Sequence, residues 1–249
     1  MKLESWIRLA VVAGSVGAIE LLCRTGVIPN SVMIPPSDMA LALASILSSG
    51  EMTGDIVSTF TNVALATLIT VVLGFVLGQS IHAVPWLRAS IEPLLASYYS
   101  VPTFMFYPVF IVLFGIGRAP IVAIAVLLAI VAMIMSTLNG LDRIPAVLRK
   151  TAHIYRMSRV ATALLIELPA AAPYLFTGMK LVVAYAFIGV IASEFILSGS
   201  GLGYRIAYAY NNFENGKMYG LMLLVLVSVT LVNSGLNAID NRLQARRRR

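Results

Sequence analysis

Charge is scarce in this chain: Asp, Glu, Lys and Arg make up only 12% of its 249 residues, against roughly 25% in an ordinary soluble domain. A hydrophobic fraction of 59% and a mean hydropathy of +0.89 exclude a soluble globular fold. They leave a membrane chain. Cysteine is nearly absent, and Cys23, standing alone, excludes an intrachain disulfide. The two histidines, His82 and His153, are far apart and belong to no metal-spaced cluster, so no metal is expected. There is no HExxH, no GKS or GKT after a glycine loop, and no Ser/His/Asp set at one membrane depth. The chain therefore carries no catalytic site of its own and binds no cofactor.

What is present is a series of long apolar runs. About 20 such residues cross ~30 Å of hydrocarbon as a helix, which satisfies its own backbone hydrogen bonds without water. The runs predict six spans, at 7–22, 56–78, 94–114, 120–138, 174–197 and 219–239. The first holds Gly14, Ser15, Gly17 and Glu20. It follows Lys2 and Arg8 as a signal peptide would, but no clean small-x-small cleavage site follows, and it reads as an uncleaved span. With both termini in the cytoplasm, thirteen Lys and Arg fall on that face and four on the other, the pattern of the positive-inside rule. The net charge of +7 then reflects topology and attraction to anionic lipid rather than nucleic-acid binding.

The longest cytoplasmic loop, 139–170, holds five of those basic residues between Arg143 and Arg159. On a helix, Val147, Leu148, Thr151, Ile154 and Tyr155 share one side, and Arg149, His153 and Arg156 share the other. This predicts an amphipathic helix outside the membrane. Like charges at i, i+3 and i+4 disfavour it by a few tenths of a kcal/mol per pair, so something acidic faces them. Anionic headgroups and a protein partner both satisfy that requirement.

Aligned on Ile166, Leu168 and Pro169, the loop resembles the EAA loop of bacterial ABC importer permeases. The EAA triplet falls on Lys150-Thr151-Ala152, keeping only Ala152, and the glycine position holds Arg156. The stretches "VMIPPSDMALAL", "YYSVPTFMFYPVFIVLFGIGRAP", "NGLDRIP", "ELPAAAPYLFTGMKL" and "ASEFILSGSGLGYRIAYA" are similar, in their order, to permeases for taurine, aliphatic sulfonates, nitrate, bicarbonate and pyrimidine precursors. The resemblance implies that the loop is a coupling helix docking on a separate ATPase, through Leu148, Arg149, Ala152, His153, Tyr155, Arg156, Leu168 and Pro169. An arginine cannot replace glycine in a tight contact. Either the helix runs straight through Arg156, or the ATPase groove has an acidic pocket for it, and the pocket is the expectation.

Other motifs have two readings. Gly74-x-x-x-Gly78 permits close helix approach and reads as packing. Tyr99, Pro102, Phe106, Tyr107 and Pro108 make the third span aromatic and twice broken. A helix kinked to line a passage and one kinked for packing both fit, and the resemblance favours the passage. "SGSGLG", 198–203, lacks the Lys-Ser/Thr of a phosphate cradle and reads as a helix-ending turn with left-handed glycines. By resemblance, Gly201 and Gly203 belong to an extracytoplasmic gate. Glu194 is an acid well inside the fifth span, where ionisable groups face protein, water or a nearby interface. Glu20 and Lys180 lie near span ends, where snorkelling suffices.

The expected fold is thus an all-α integral membrane protein, a single permease domain over 1–249 with six transmembrane helices and a cytoplasmic coupling helix between spans 4 and 5, resembling type I ABC importer permeases. The resemblance implies a pair of permeases, most simply a homodimer, two ATP-binding subunits holding ATP and magnesium, and an extracytoplasmic solute-binding protein. It also implies the bacterial inner membrane and a small polar or anionic organic solute. The rival is a self-contained secondary carrier or channel, against which stands the lack of an inverted repeat. The charge count generates one prediction. With Cys23 replaced by Ser, a Val147→Cys protein in intact spheroplasts stays unlabelled by an impermeant thiol reagent and becomes labelled once the membrane is opened. Labelling from outside would reverse the orientation.

Overall fold

The computed structural model of the chain describes residues Leu3 to Arg247. Arg248 and Arg249, part of the basic C-terminus expected in the cytoplasm, lie outside the described residues. The order is α1 (Leu3–Arg24), α2 (Pro36–Ser49), α3 (Thr53–Ala83), α4 (Pro85–Tyr98), a 3₁₀ turn (Thr103–Phe106), α5 (Tyr107–Phe114), α6 (Arg118–Asp142), α7 (Ala146–Ile154), α8 (Arg159–Thr162), a π-helical stretch (Ala163–Glu167), α9 (Leu168–Leu197), α10 (Leu202–Asn211) and α11 (Asn215–Arg247). No strand occurs among the described residues. The all-α membrane architecture expected from composition is what forms.

Among the described residues four helices are long and apolar enough to cross a bilayer: α3, α6, Val160–Ile196 and Asn215–Arg242. α4 and Thr103–Phe114 pass the same measure only together and are bent by 95°, a fifth crossing if the pair is one broken span. The stretch read as a third span is therefore two helices with a corner between them. α1 covers the stretch read as the first span.

The chain packs as two units, one formed by residues up to Thr59 with Glu194–Ser228, the other by Phe60–Ser193 with the segment from Val229 onward. In the second unit α6 is the central element. Ile124, Ala125, Ala129, Met133, Leu138 and Leu141 are all buried along it. A Cβ on Gly74 would lie 2.6 Å from the Met133 Cβ, and one on Gly78 2.7 Å from the Thr137 Cβ. The small-residue pair of α3 thus seats against α6, as the packing reading required. Further toward the start of α6, Gly189 of α9 leaves room for the Ala125 backbone, whose Cα would stand 2.6 Å from an added Cβ. Around these contacts Val63, Ala66, Tyr107, Ile121, Val183 and Phe187 form one buried cluster.

The charged side chains near the ends of the apolar runs are partnered, whereas Thr67, Thr70, Gln79 and Ser193 each bury a polar side-chain atom without a hydrogen bond. Lys180 of α9 donates to Asp240 at 2.9 Å and to Asn237 at 3.0 Å, both on α11. It is an ion-paired residue rather than one that snorkels to an interface. In the first unit Glu20 accepts from the Ser37 backbone N–H and hydroxyl at the start of α2, and from Arg24, which also reaches Asp38. Pro169 and Pro173 lie in the run that begins at Val160. The ring of Pro169 has no N–H to give and crowds the preceding turn. The chain widens there into the π stretch, where the Leu168 N–H reaches back five residues to the Ala163 carbonyl.

The α6–α9 seat gives a direct test. Gly189→Ala forces the two backbones apart and should lower stability by about 1–3 kcal/mol, read as an earlier thermal aggregation midpoint in mild detergent. Gly14→Ala, where nothing lies within 4 Å of an added Cβ, should leave the midpoint unmoved or slightly raised.

Candidate functional site

The loop expected to couple to a partner forms α7, a short helix that begins after Pro145 and stops at Ile154. Its ending is specific. The Met157 N–H bonds the Ala152 carbonyl and the Arg156 N–H bonds the His153 carbonyl, each at 3.0 Å. These are the two bonds of a Schellman cap, whose pivot residue is left-handed and normally glycine. The pivot is Arg156, with φ 49°. The helix does not run straight through this residue. The backbone keeps the turn for which the resembling family carries a glycine, and an arginine side chain is mounted on it at a conformational cost of about 1–2 kcal/mol.

α7 offers its apolar side outward. Val147 is 70% exposed and Ile154 and Tyr155 are each 76% exposed, while Ala152 is buried against the chain. Leu148, His153 and Arg156 are also exposed. The Arg149 side chain lies outside the described residues. Leu168 and Pro169 start α9 beyond the π stretch, and Leu168 lines a groove of about 500 Å³ with Phe75, Met133, Leu175 and Met179. An apolar stripe flanked by cations, outside the helices that cross the membrane, is chemically a docking surface.

In the first unit the sequence-marked residues Glu194, Gly201 and Gly203 come together. Glu194 is fully buried. Its Oε2 accepts from the Thr59 hydroxyl at 2.8 Å and from the Gly203 N–H at 3.1 Å. Thr59 in turn accepts from the Leu202 N–H at 2.8 Å. Asp55, one turn before Thr59 on α3, takes the Gly201 N–H at 2.8 Å on Oδ1 and the Arg205 Nε at 2.6 Å on Oδ2. That bond raises the Arg205 guanidinium pKa above its ordinary value. The first N–H groups of α10, unpaired in any helix, are thus capped by side chains of other helices. Both carboxylates lie where the helix dipole favours negative charge.

This cap decides the reading of "SGSGLG". The amides that could have cradled an anion are already taken, and Gly201, with φ 99°, starts α10 rather than ending α9. A Cβ there would fall on the Glu194 carboxyl group. Sequence reading found the acid and the glycines and missed Asp55, Thr59 and Arg205. The available signal was two polar residues four apart at the start of an apolar helix, hence on one face.

The residues expected to line a passage separate. Tyr99 is 53% and Phe106 38% exposed at the corner between α4 and α5, whereas Tyr107 is 3% exposed, inside the buried cluster. The Tyr99 ring lies 6.5 Å from that of Tyr185. Pro102 precedes the 3₁₀ turn and Pro108 occupies the first turn of α5. Both prolines therefore start helical segments, where a missing N–H is harmless, instead of kinking one helix from within. Among the described residues no group of His, Cys, Asp and Glu could hold a metal ion.

An all-helical membrane chain with a cornered pair of apolar helices, a short helix capped by side chains of its neighbours and an outward-facing basic, apolar loop helix has the build of a transporter's membrane component. The chain belongs to the family of binding-protein-dependent transport system inner membrane components, whose profile matches residues 70–249. Among named relatives it is 27% identical over 184 residues to the nitrate import permease protein NrtB of Leptolyngbya laminosa, a match covering 74% of this chain and 64% of that one. It is 24% identical to the putative aliphatic sulfonates transport permease protein SsuC of Bacillus subtilis, covering 97% of this chain and 88% of that one. It is likewise 24% identical to the taurine transport system permease protein TauC of Escherichia coli, covering 75% and 68%. The fold is similar to a chain of the MetNI methionine ABC transporter in an inward-facing conformation, with a TM-score of 0.63 at 19% identity over 77% of this chain and 97% of that one.

The cap of α10 generates the prediction here. Gly201→Ala meets both a left-handed backbone and the Glu194 carboxyl, so it should lower membrane abundance and thermal stability, by about 1–3 kcal/mol. Glu194→Gln keeps an acceptor for Thr59 but loses the charge, and should cost less than Glu194→Ala, which leaves two donors unmatched. Equal stability of Glu194→Ala and wild type would remove the cap as the residue's role.

Proposed function

We propose that this membrane component works as one of a pair in an ATP-driven importer, with both termini and α7 in the cytoplasm and α1 completing six spans. A separate ATPase supplies the energy, two copies per transporter, each holding ATP and magnesium. An extracytoplasmic binding protein delivers a small, polar or anionic organic solute. The carrying observation is α7: in a chain of this family, its exposed stripe of Val147, Ile154 and Tyr155 lies beside His153 and Arg156, on a helix that its own cap brings to a stop. Such a surface suits a groove that is apolar at its floor and acidic at its rim. A small anionic or polar solute is supported by the relatives named for nitrate, aliphatic sulfonates and taurine, and an organic one by the last two.

The mechanism is alternating access. ATP closes the ATPase pair, α7 moves with it, and the spans reopen outward. The corner at Tyr99, Pro102 and Phe106 gives that movement exposed aromatic side chains and helix starts that can shift. Tyr107 and Pro108 anchor the corner, and the α10 cap at Glu194, Gly201 and Gly203 holds the gate helix in place.

Two measurements test this. Purification in mild detergent should bring an ATPase subunit with the chain, and reconstituted vesicles should hydrolyse ATP faster when the binding protein is present. A secondary carrier gives neither result. Substitution at the helix end then separates backbone from side chain. Arg156→Gly keeps the left-handed turn and loses the cation, so it should weaken ATPase retention, whereas Arg156→Glu should abolish it. A Glu→Arg change in the ATPase groove should restore part of the Arg156→Glu loss. Undiminished retention by Arg156→Glu would sink the acidic pocket.

A further inference from the structure

Asp142 is the last residue of α6, and α7 begins at Ala146. Both oxygens of its carboxylate are held by one arginine: Arg88 Nη1 reaches Oδ1 at 2.6 Å and Nη2 reaches Oδ2 at 2.7 Å. His82 Nε2, in the last turn of α3, stands 3.3 Å from Oδ1. Arg88 also donates from Nε to Glu92 one turn on, at 3.3 Å. Such a two-pronged bond fixes direction as well as distance. It lies in the first turn of α4, the helix that ends one residue before Tyr99.

α4 is tied to α6 along its length. Leu87, Ile91 and Leu95 pack on Ile81, Ile134 and Leu138. At the far end the Tyr98 hydroxyl donates to the Leu127 carbonyl at 3.0 Å. A helix of 14 residues is about 20 Å long. It therefore reaches from the base of the loop helix to the corner at Tyr99, and although Pro93 lies inside it, its fastenings to α6 on either side of that proline make it move with α6.

We infer that the Arg88–Asp142 clasp, with His82 beside it, is the point at which movement of α7 passes into α4 and so to the corner between α4 and α5. Arg88 and Asp142 are positioning residues: they touch neither ATP nor solute. An exposed surface ion pair contributes little to stability, and at 26% and 38% side-chain exposure this pair is not deeply buried. A fold-holding role explains it poorly. Its orienting geometry, four residues before the loop helix, explains it well. This inference rests on the coupling role proposed for α7.

The test uses the whole transporter with its ATPase and binding protein, in vesicles. Asp142→Asn and Arg88→Lys should leave membrane abundance and ATPase retention near wild type. Uptake per transporter should fall at least fivefold, and ATP hydrolysis should continue but lose its stimulation by the binding protein. The exchanged pair, Arg88→Asp with Asp142→Arg, should recover part of both. Uptake per transporter within twofold of wild type in the single variants would overturn the inference. So would a loss of uptake that only follows abundance, which marks a structural fastening. If wild type itself retains no ATPase, it is the coupling role of α7 that fails, and the two failures are thereby distinct.

Discussion

Lipid tails are as apolar as leucine, so helices in a bilayer gain little by hiding apolar surface from one another and are held by the closeness of their contact. α6 depends on that constraint. Gly74 and Gly78 bring α3 against the Met133 and Thr137 side chains, and Gly189 brings α9 against the Ala125 backbone. Each seat removes a side chain so that two backbones can approach. Helix faces carrying larger residues at those positions would have to stand apart, and the cluster around Ile121, Val183 and Phe187 could not close. Because α6 is fixed against both α3 and α9 in this way, its end at Asp142 has a defined place from which α7 can project.

A second constraint acts on polar groups, which cannot be left to a medium without water. The start of α10 spends no residues of its own on capping. Asp55, Thr59 and Glu194 cap it from α3 and α9, and the acids gain the partners without which their burial would be prohibitive. Lys180, Asp240 and Asn237 answer the same demand between α9 and α11. In these places polarity fastens helices rather than marking a route for solute.

The loop helix follows the opposite rule. Its apolar side is left without cover while Ala152, alone among its described side chains, is buried, and its C-terminal turn keeps a left-handed pivot although the pivot is an arginine. Retaining an unfavourable backbone conformation at an exposed cation makes sense where the side chain has work outside the chain. That, with the family, is the basis of the partner contact proposed for this surface.

Composition and period were enough to determine that the chain is helical, crosses a membrane and carries one amphipathic helix between its fourth and fifth apolar runs, because bilayer thickness and backbone satisfaction leave few alternatives. The resemblance carried in the order of its motifs was enough to name the family. The residue-level roles were decided by tertiary structure. Tyr99 and Tyr107 look alike in sequence and differ wholly in burial. Pro102 and Pro108 read as kinks and act as helix starts at a 95° corner. Lys180 read as a snorkelling residue and is paired. Arg156 itself gave no sign of being left-handed beyond standing at the resembling family's glycine position, since a Schellman cap is written in carbonyl and N–H positions and only usually in glycine. Periodicity reports which residues share a face of their own helix, whereas a hydrogen bond from Thr59 to Glu194 joins residues 135 positions apart, and only the packed helices bring them within reach.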